Sequence, residues 1–374
     1  MRKKSVEPGV TKEYGAEMYN FALIGEHLSH SYSPMIHSKF GDYEYELCEV
    51  SEGDLQDLLK SEKYDGFNVT IPYKEKIIKY CDEISNDCRR IGAVNTVVKN
   101  AEGKYIGYNT DYFGFRYLLE KSDIDVAGRK CVILGSGGAS KTVSVVLQDL
   151  GAKEILEVSR TGEINYENIK ECGDAEIIVN STPVGMFPNN MKSLINLDDF
   201  PGCIGVVDLI YNPNRTKLLL DAMERGIPAV SGLGMLVAQG FRASELFQGK
   251  ELDSEEISIA IEEIRDVTLN KILIGMPGAG KTFLGMKMAE ATGREFVDID
   301  DEIEADEGMS VAQIFEEKGE AYFRKLETEK LRQMCKRRGL IIATGGGCCK
   351  DKGKLQNYKA ERYSHLGKER FGQA

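Results

Sequence analysis

The sequence has no tryptophan, no CxxC pair among its nine cysteines, and no apolar run near the ~20 residues of a membrane span. Each absence excludes something. Without a membrane-length run, no transmembrane segment is expected. The basic start Met1-Arg2-Lys3-Lys4 is followed by no apolar h-region, which argues against a secretory signal. Cysteines without metal or redox spacing point to reduced thiols in a cytoplasm. Cys131 reads as a buried strand residue, and Cys81 and Cys88 as neighbours on one helix face. Positive charge is also scarce. There are 48 Lys and Arg against 60 Asp and Glu, a net charge of −12. That argues against a nucleic-acid partner, because phosphate backbones demand a basic face. No internal repeat of the roughly 20–50 residues typical of solenoids is visible.

What is present is an ordinary soluble composition over 374 residues, 42% hydrophobic and 29% charged, enough for two or three domains. Two glycine loops stand out. Gly135-Ser136-Gly137-Gly138-Ala139-Ser140 follows the apolar strand Lys130–Leu134 and opens a helix over Lys141–Leu150. That context suits a dinucleotide pyrophosphate against a helix N-terminus. Gly275-Met276-Pro277-Gly278-Ala279-Gly280-Lys281-Thr282 follows a second strand, Lys271–Ile274, and is a complete P-loop for a nucleoside triphosphate. One chain therefore holds a redox unit and a phosphoryl-transfer unit. Residues 1–19 read as a loose extension. From Phe21 to about Val98, short strands (Phe21–Gly25, Gly66–Ile71) alternate with helical patterns such as Leu55–Leu59, which predicts a parallel sheet. Lys130–Leu134, Glu154–Val158, Glu176–Asn180 and Cys203–Leu209 read as the strands of the dinucleotide domain. Glu251–Arg265 reads as an amphipathic helix, with the major boundary near Asp266.

About twenty residues beyond the first loop, an NAD-binding unit shows an acidic residue at the next strand end. This chain has Ser159-Arg160-Thr161 there instead. The arginine suits a ribose 2′-phosphate and favours NADP, although a solvated turn would look the same. A hydride-transfer unit also needs a proton donor. Lys74 lies just past a strand end and Asp111 just before a helix, Tyr112–Leu119. Ser31 and Ser33 offer two hydroxyls on one side of a turn. Each alone could be a surface loop, a helix cap or a turn.

Taken together, six segments in order resemble shikimate dehydrogenase: His30-Ser31-Tyr32-Ser33-Pro34, Asn68-Val69-Thr70-Ile71-Pro72-Tyr73-Lys74, Gly92-Ala93-Val94-Asn95-Thr96, Gly107-Tyr108-Asn109-Thr110-Asp111, Asn180-Ser181-Thr182-Pro183-Val184-Gly185-Met186 and Gly232-Leu233-Gly234-Met235-Leu236-Val237-Ala238-Gln239. The resemblance covers about residues 20–265. It implies a shikimate-binding α/β domain over 20–110, completed by C-terminal helices 235–265, and a Rossmann NADP domain over 111–234. It implies Lys74 and Asp111 at the reacting oxygen, Ser31 and Ser33 on the substrate carboxylate, and Thr70, Asn95 and Gln239 on ring hydroxyls. Tyr211 would lie near substrate and nicotinamide. Gly135, Gly137, Gly138, Ala139, Ser140, Ser159, Arg160, Thr161 and Gly232 would hold the cofactor. One departure is visible: Gly162-Glu163-Ile164-Asn165 brings no second basic residue after Arg160, which would loosen the 2′-phosphate grip.

Downstream of the P-loop, Phe296-Val297-Asp298-Ile299-Asp300 reads as a strand end, with alternation placing Asp298 and Asp300 on one side. Gly319-Glu320-Ala321-Tyr322-Phe323-Arg324 follows, then a strand, Leu340–Thr344, leading into Gly345-Gly346-Gly347. This series resembles shikimate kinase over about residues 270–348. It implies ATP on Gly278, Gly280, Lys281 and Thr282, and Mg²⁺ on Thr282 and Asp298. It implies shikimate on Asp300, Arg324, Gly345, Gly346 and Gly347. The kinase family continues with two more strands and a lid arginine. The segment Cys348–Ala374 carries seven Lys and Arg against three Asp and Glu and shows no strand run. The overall expectation is α/β throughout: a substrate domain, a Rossmann NADP domain, an incomplete P-loop kinase domain over 269–348, and a divergent tail over 349–374. The kinase part is expected to be inactive through truncation. A fully bifunctional enzyme and a non-catalytic shikimate or quinate sensor are the alternatives. Partners are expected to be small-molecule substrates, the chain a monomer or homodimer.

Overall fold

The computed structural model describes residues 19–28, 31–187, 189–335 and 337–346. The expectations for residues 1–18, Gly347 and the tail 349–374 lie outside the described residues. The chain divides into two compact units. Among the described residues, one holds those up to Pro183, Leu194–Tyr211 and Asp221–Ile264; the other holds Val184–Ser193, Asn212–Leu220 and those from Arg265 onward.

The first half of the first unit contains β1 (Asn20–Gly25), α1 (Ser33–Phe40), β2 (Glu44–Glu49), α2 (Leu55–Lys60), β3 (Gly66–Val69), β4 (Glu83–Ile84), α3 (Asn86–Ile91), β5 (Thr96–Lys99) and β6 (Tyr105–Tyr108). Its six-stranded sheet runs β2-β1-β3-β5-β6-β4. The sheet is mixed, which corrects the parallel expectation. β2, β1 and β3 are parallel, but β5 is antiparallel to both β3 and β6. For the β5–β6 pair the reason is local. The short turn Asn100–Lys104, closed by the Asn100 and Lys104 backbone at 2.9 Å, leaves no room for the crossover a parallel pair requires. Cys81 and Cys88 are also corrected. They sit on a 3₁₀ turn's end and on α3, not on one helix, and converge on Gly107, whose carbonyl lies 3.6 Å from Cys88 Sγ. Burial pushes both thiols up, Cys81 to about 12 and Cys88 to about 11. Cys131 is a buried strand residue as expected.

The second half continues with α4 (Thr110–Glu120), β7 (Lys130–Leu134), α5 (Gly138–Asp149), β8 (Glu154–Val158), β9 (Ile177–Asn180), β10 (Gly205–Asp208), α6 (Lys217–Glu224), β11 (Ala229–Ser231), α7 (Leu233–Gln248) and α8 (Glu255–Thr268). The strands form a wholly parallel sheet, β11-β10-β9-β7-β8, whose order reverses at β7. These strands are near-continuous apolar runs because helices cover both faces. Cys131, Ile133, Ile177, Val179 and Val207 pack against Val143, Val146 and Leu147 of α5 and Phe115 and Leu118 of α4. Each such buried side chain contributes about 1.5–3 kcal/mol. α7 and α8 return to the first half: Val237, Phe241, Ile257 and Ile264 pack on Tyr32, Ile36 and Phe40.

The second unit adds β12 (Lys271–Leu273), α9 (Lys281–Thr292), β13 (Phe296–Asp298), α10 (Ile299–Glu307), α11 (Val311–Cys335, broken at Gly319) and β14 (Ile341–Ala343). Its parallel sheet runs β12-β14-β13, so among the described residues the P-loop strand β12 has a neighbour on one side only. Ile272, Val297, Ile303, Ile314, Phe323, Leu331 and Ile342 make its core. Asp298 and Asp300 do not alternate on one strand. The strand stops at Asp298, which caps α10 by accepting the Asp300 amide at 3.0 Å, and Asp300 lies in the first helical turn. An aspartate that caps a helix satisfies an orphan N–H, and this ended the strand early.

Candidate active sites

The first cleft is built at the ends of β3, β6 and α7. Past β3 the chain turns, with Thr70 O accepting the Tyr73 amide at 2.9 Å, and this delivers Lys74. Past β6, Asn109 caps α4 by accepting the Tyr112 amide at 3.1 Å, and its own Nδ2 donates to Ala93 O at 3.0 Å. Asp111 therefore sits in a first helical turn, where the dipole favours a carboxylate. Lys74 Nζ and Asp111 Oδ2 meet at 2.5 Å, with side-chain exposures of 22% and 11%. Beside them Asn95 is buried. It accepts the Thr110 amide at 2.7 Å and donates to Thr110 Oγ1 at 3.1 Å, and Thr110 Oγ1 reaches Gln239 Oε1 at 3.3 Å. Gly114 lets α7 come this close, since a Cβ there would lie 2.5 Å from Met235 O.

Ser31 Oγ donates to Ser33 Oγ at 3.1 Å and accepts the Ser33 amide at 3.1 Å, so the two hydroxyls are side by side. Tyr211 lies against Tyr32, ring centroids 5.0 Å apart. Thr70 stands at the end of β3, its methyl over Gly25. The structure thus groups Lys74 with Asp111, Asn95 with Gln239, and Ser31 with Ser33. Residues that sequence reasoning passed over are the buried polar ones behind them: Asn68, which donates to Thr96 Oγ1 at 2.9 Å, and Thr96, which donates to Asn95 Oδ1 at 3.1 Å. The available signal was a polar residue inside the apolar run Gly66-Phe67-Asn68-Val69. Behind Asn68 lies His37, which burial holds neutral by pulling its pKa down to about 3.

The glycine loop lies where the strand order reverses, the usual crevice for a ligand in such a sheet. Gly135 adopts φ +110, and a Cβ there would meet Ser181 Oγ at 2.8 Å. Gly137 caps α5, and at Gly137 and Gly138 a Cβ would meet nothing within 4 Å. That leaves an open cradle of backbone N–H groups at a helix N-terminus, which fits a pyrophosphate. Ala139 and Ser140 lie in the first turn of α5, and buried Ser140 ties its hydroxyl to Gly137 O at 2.6 Å. Ser159, Arg160 and Thr161 follow β8 directly; Arg160 and Thr161 are exposed. Gly232 is required by packing, because a Cβ would overlap the Leu209 carbonyl.

In the second unit, Gly278 and Gly280 take φ +76 and +74, the left-handed values that favour glycine. Lys281 Nζ donates to Gly275 O at 3.1 Å and Met276 O at 2.9 Å, and Thr282 Oγ1 donates to Asp298 Oδ2 at 2.7 Å. Asp300 is raised to about 6, by burial first and then by the charges of Asp298 and Glu327. Its Oδ1 is buried without a hydrogen-bond partner. Gly345 lies against it, since a Cβ there would stand 2.7 Å from Asp300 Oδ1, and Gly346 lies against the Pro277 ring. Arg324 Nη1 bonds Glu327 Oε1 and Oε2 at 3.3 and 3.2 Å. Glu327, fully buried against Arg324 and Gly345, is a neighbour of these residues that the sequence reading missed; the signal was its position three residues after Arg324. Among the described residues no group of three or more His, Cys, Asp or Glu could hold a metal ion, and no helix is long and apolar enough to cross a membrane.

A dinucleotide loop on one sheet, with a lysine and a carboxylate paired past the strand ends of the other, defines a nucleotide-dependent oxidoreductase. The comparisons narrow this. The family model for the shikimate dehydrogenase substrate binding domain matches residues 23–97, and that for shikimate kinase matches residues 277–365. A shikimate dehydrogenase (NADP(+)) of Clostridium perfringens strain SM101 is 38% identical over 266 residues, which span 66% of this chain and 98% of that protein. A chorismate mutase/shikimate 5-dehydrogenase fusion protein from Clostridium acetobutylicum aligns with a TM-score of 0.63 at 36% identity, covering 67% of this chain and 98% of that one. The Thermus thermophilus enzyme, solved with NADP(H) and shikimate, aligns at 0.59 and 31%, covering 66% and 99%. The chain belongs to the shikimate dehydrogenase family.

Proposed function

We propose that residues 20–265 catalyse the reversible NADP-dependent reduction of 3-dehydroshikimate to shikimate in the cytoplasm. The observation that carries this reading is the Lys74–Asp111 pair at 2.5 Å beside the buried Asn95–Thr110–Gln239 wall. NADP, when bound, receives or supplies the hydride. Gly135, Gly137, Gly138, Ala139 and Ser140 would hold its pyrophosphate, and Ser159, Arg160 and Thr161 its 2′-phosphate, with Gly232 close to the nicotinamide end. Ser31 and Ser33 grip the substrate carboxylate. Thr70, Asn95 and Gln239 bind ring hydroxyls, and Tyr211 lies near substrate and nicotinamide. Such a polar pocket rejects an analogue lacking a hydroxyl, because its own groups would be left unpaired. Lys74 gives its proton to the C3 oxygen as that oxygen becomes an alkoxide in the reductive direction. Asp111 holds the ammonium in line and accepts from the same hydroxyl.

The C-terminal unit is read as a shikimate kinase-like segment that does not transfer phosphate. Lys281, Thr282 and Asp298 would serve ATP and Mg²⁺, and Asp300, Arg324, Gly345, Gly346 and Gly347 a shikimate molecule. The orphaned Asp300 Oδ1 fits a hydroxyl donor at that position. The test is shikimate-dependent formation of NADPH, with an ATP-to-ADP coupled assay on the same sample. NADPH formation without shikimate-dependent ADP release is expected. ADP release as well would establish the bifunctional reading. Shikimate binding with neither turnover would establish a sensor.

A further inference from the structure

We infer that Asp208 is a positioning residue for hydride transfer, fastening together two turns that flank the path of the nicotinamide. The inference rests on reading the first cleft as a shikimate dehydrogenase site. Leu134, Asn180 and Asp208 end β7, β9 and β10, and they stand in register at the carboxyl ends of these three neighbouring strands. Asp208 is fully buried and Asn180 nearly so. Burying a carboxylate is costly, and here two N–H donors offset the cost. Asp208 Oδ1 accepts from Asn180 Nδ2 at 3.0 Å and from the Ile210 amide at 3.0 Å.

Each donor belongs to a turn at the cleft. With its own Oδ1, Asn180 accepts the Thr182 amide at 3.0 Å and the Thr182 hydroxyl at 2.7 Å. That sets the Ser181–Thr182 turn against the first glycine of the dinucleotide loop. A Cβ on Gly135 would lie 2.8 Å from Ser181 Oγ and 2.9 Å from Thr182 Cγ2. Ile210 leads directly into Tyr211, whose ring packs on Tyr32, the residue between the two substrate serines. This second turn is also pinned by its backbone: the Leu209 amide donates to Asn180 O at 2.9 Å, and Ile210 O accepts the Gly232 amide at 3.1 Å. A dinucleotide held at Gly135–Gly138 extends its nicotinamide from that cradle toward the substrate beside Lys74 and Ser31. The path leaves the cradle past Thr182 and arrives near Tyr211, and Asp208 joins the two walls. A misplacement of about 1 Å between reacting groups costs on the order of 10²-fold in rate.

The test compares Asp208→Leu, which keeps the branched shape and removes the acceptor, with Asp208→Asn, which keeps an acceptor oxygen for the same two N–H groups. Single-turnover hydride transfer from NADPH to 3-dehydroshikimate is expected to slow about 10- to 100-fold in Asp208→Leu and to stay within about threefold of wild type in Asp208→Asn. Affinity for adenosine 2′,5′-bisphosphate, which fills the adenine end of the cofactor site alone, is expected to stay within about twofold in both. A general loosening of the sheet would weaken that affinity as well. Thr182→Val, at a half-buried position, removes the outermost bond of the line and is expected to slow transfer about three- to tenfold, the range of one neutral hydrogen bond. It carries the test if Asp208→Leu does not fold. Transfer within about twofold of wild type in Asp208→Leu or Thr182→Val would overturn the inference. So would an equal loss of bisphosphate affinity, or an Asp208→Asn variant as slow as Asp208→Leu, which would assign the effect to the charge rather than to the turns it holds. Wild-type turnover of shikimate tests the underlying reading on its own, because every variant result is a ratio to it.

Discussion

Replacing Lys74 with alanine removes one partner of a pair whose atoms stand 2.5 Å apart. Two quantities follow. General acid–base transfer by a positioned side chain is worth about 10²–10⁴ in rate, so turnover is expected to fall by that factor while shikimate still binds. The second quantity is stability. Breaking a buried ion pair costs about 3–5 kcal/mol because the surviving charge is stranded. Here the side chains keep 22% and 11% of their exposure, so water screens Asp111 in part and the loss is discounted to about 1–3 kcal/mol. The two quantities separate in the double variant Lys74→Ala/Asp111→Asn. It removes the stranded charge, so the melting temperature recovers toward wild type, and turnover does not. The assay is steady-state NADPH formation alongside calorimetric shikimate binding and thermal unfolding. Turnover of Lys74→Ala within tenfold of wild type would refute the proton-transfer role. A double variant no more stable than Lys74→Ala would refute the stranded-charge argument.

Three further outcomes are expected. Arg160→Ala should raise the Michaelis constant for NADP about tenfold or more, the worth of a charge-assisted hydrogen bond, and leave that for NAD little changed; an unchanged NADP to NAD ratio would remove Arg160 from the 2′-phosphate. Gly232→Ala drives a methyl into the Leu209 carbonyl, so it should cost about 3 kcal/mol or more in thermal unfolding, and a wild-type melting temperature would contradict the close approach. The raised pKa of Asp300 favours its protonated form in the fold, so its stabilising contribution is present below the ordinary carboxylate range and is lost as pH rises through about 6. Asp300→Asn should therefore stabilise the C-terminal unit at pH 7 by on the order of 1 kcal/mol after solvent screening, and less at pH 4; a gain independent of pH would show that Asp300 is not the titrating group.

Both glycine loops were legible because the chemistry of a phosphate cradle is local. Gly135, Gly278 and Gly280 need backbone angles that neighbouring residues announce. The strands around them were legible for the same reason, as short apolar runs ended by turn residues. Strand direction was not. An apolar run reads the same whether it lies parallel or antiparallel to its neighbour; the short turn at Asn100–Lys104 sets β5 against β6, and nothing local in the sequence announces its direction against β3. Asp300 was misplaced because a strand and a helix N-terminus compete for the same sequence, and the capping side chain of Asp298 decided it. The wall of Asn68, Thr96, Tyr45 and His37 was illegible for a different reason. Its members come from β3, β5, β2 and α1, and only tertiary pairing brings the hydrogen-bonded Tyr45, Asn68 and Thr96 together with the His37 ring stacked on Tyr45. Glu327 lies in the same category, since its burial follows from packing rather than from the helix it sits on.

The return of α7 and α8 to pack on α1 has a consequence for synthesis. Tyr32, Ile36 and Phe40 find their cover in Val237, Phe241, Ile257 and Ile264, far later in the chain. On the ribosome, the parallel five-stranded sheet of the second half is complete once β11 has emerged, whereas the first half still lacks one side of its core. The N-terminal strands must therefore wait, with α1 uncovered, while a later-encoded domain assembles ahead of them. A nascent chain that has emerged as far as Ser231 would carry the dinucleotide sheet tethered behind an apolar helix face, the kind of surface that chaperones bind.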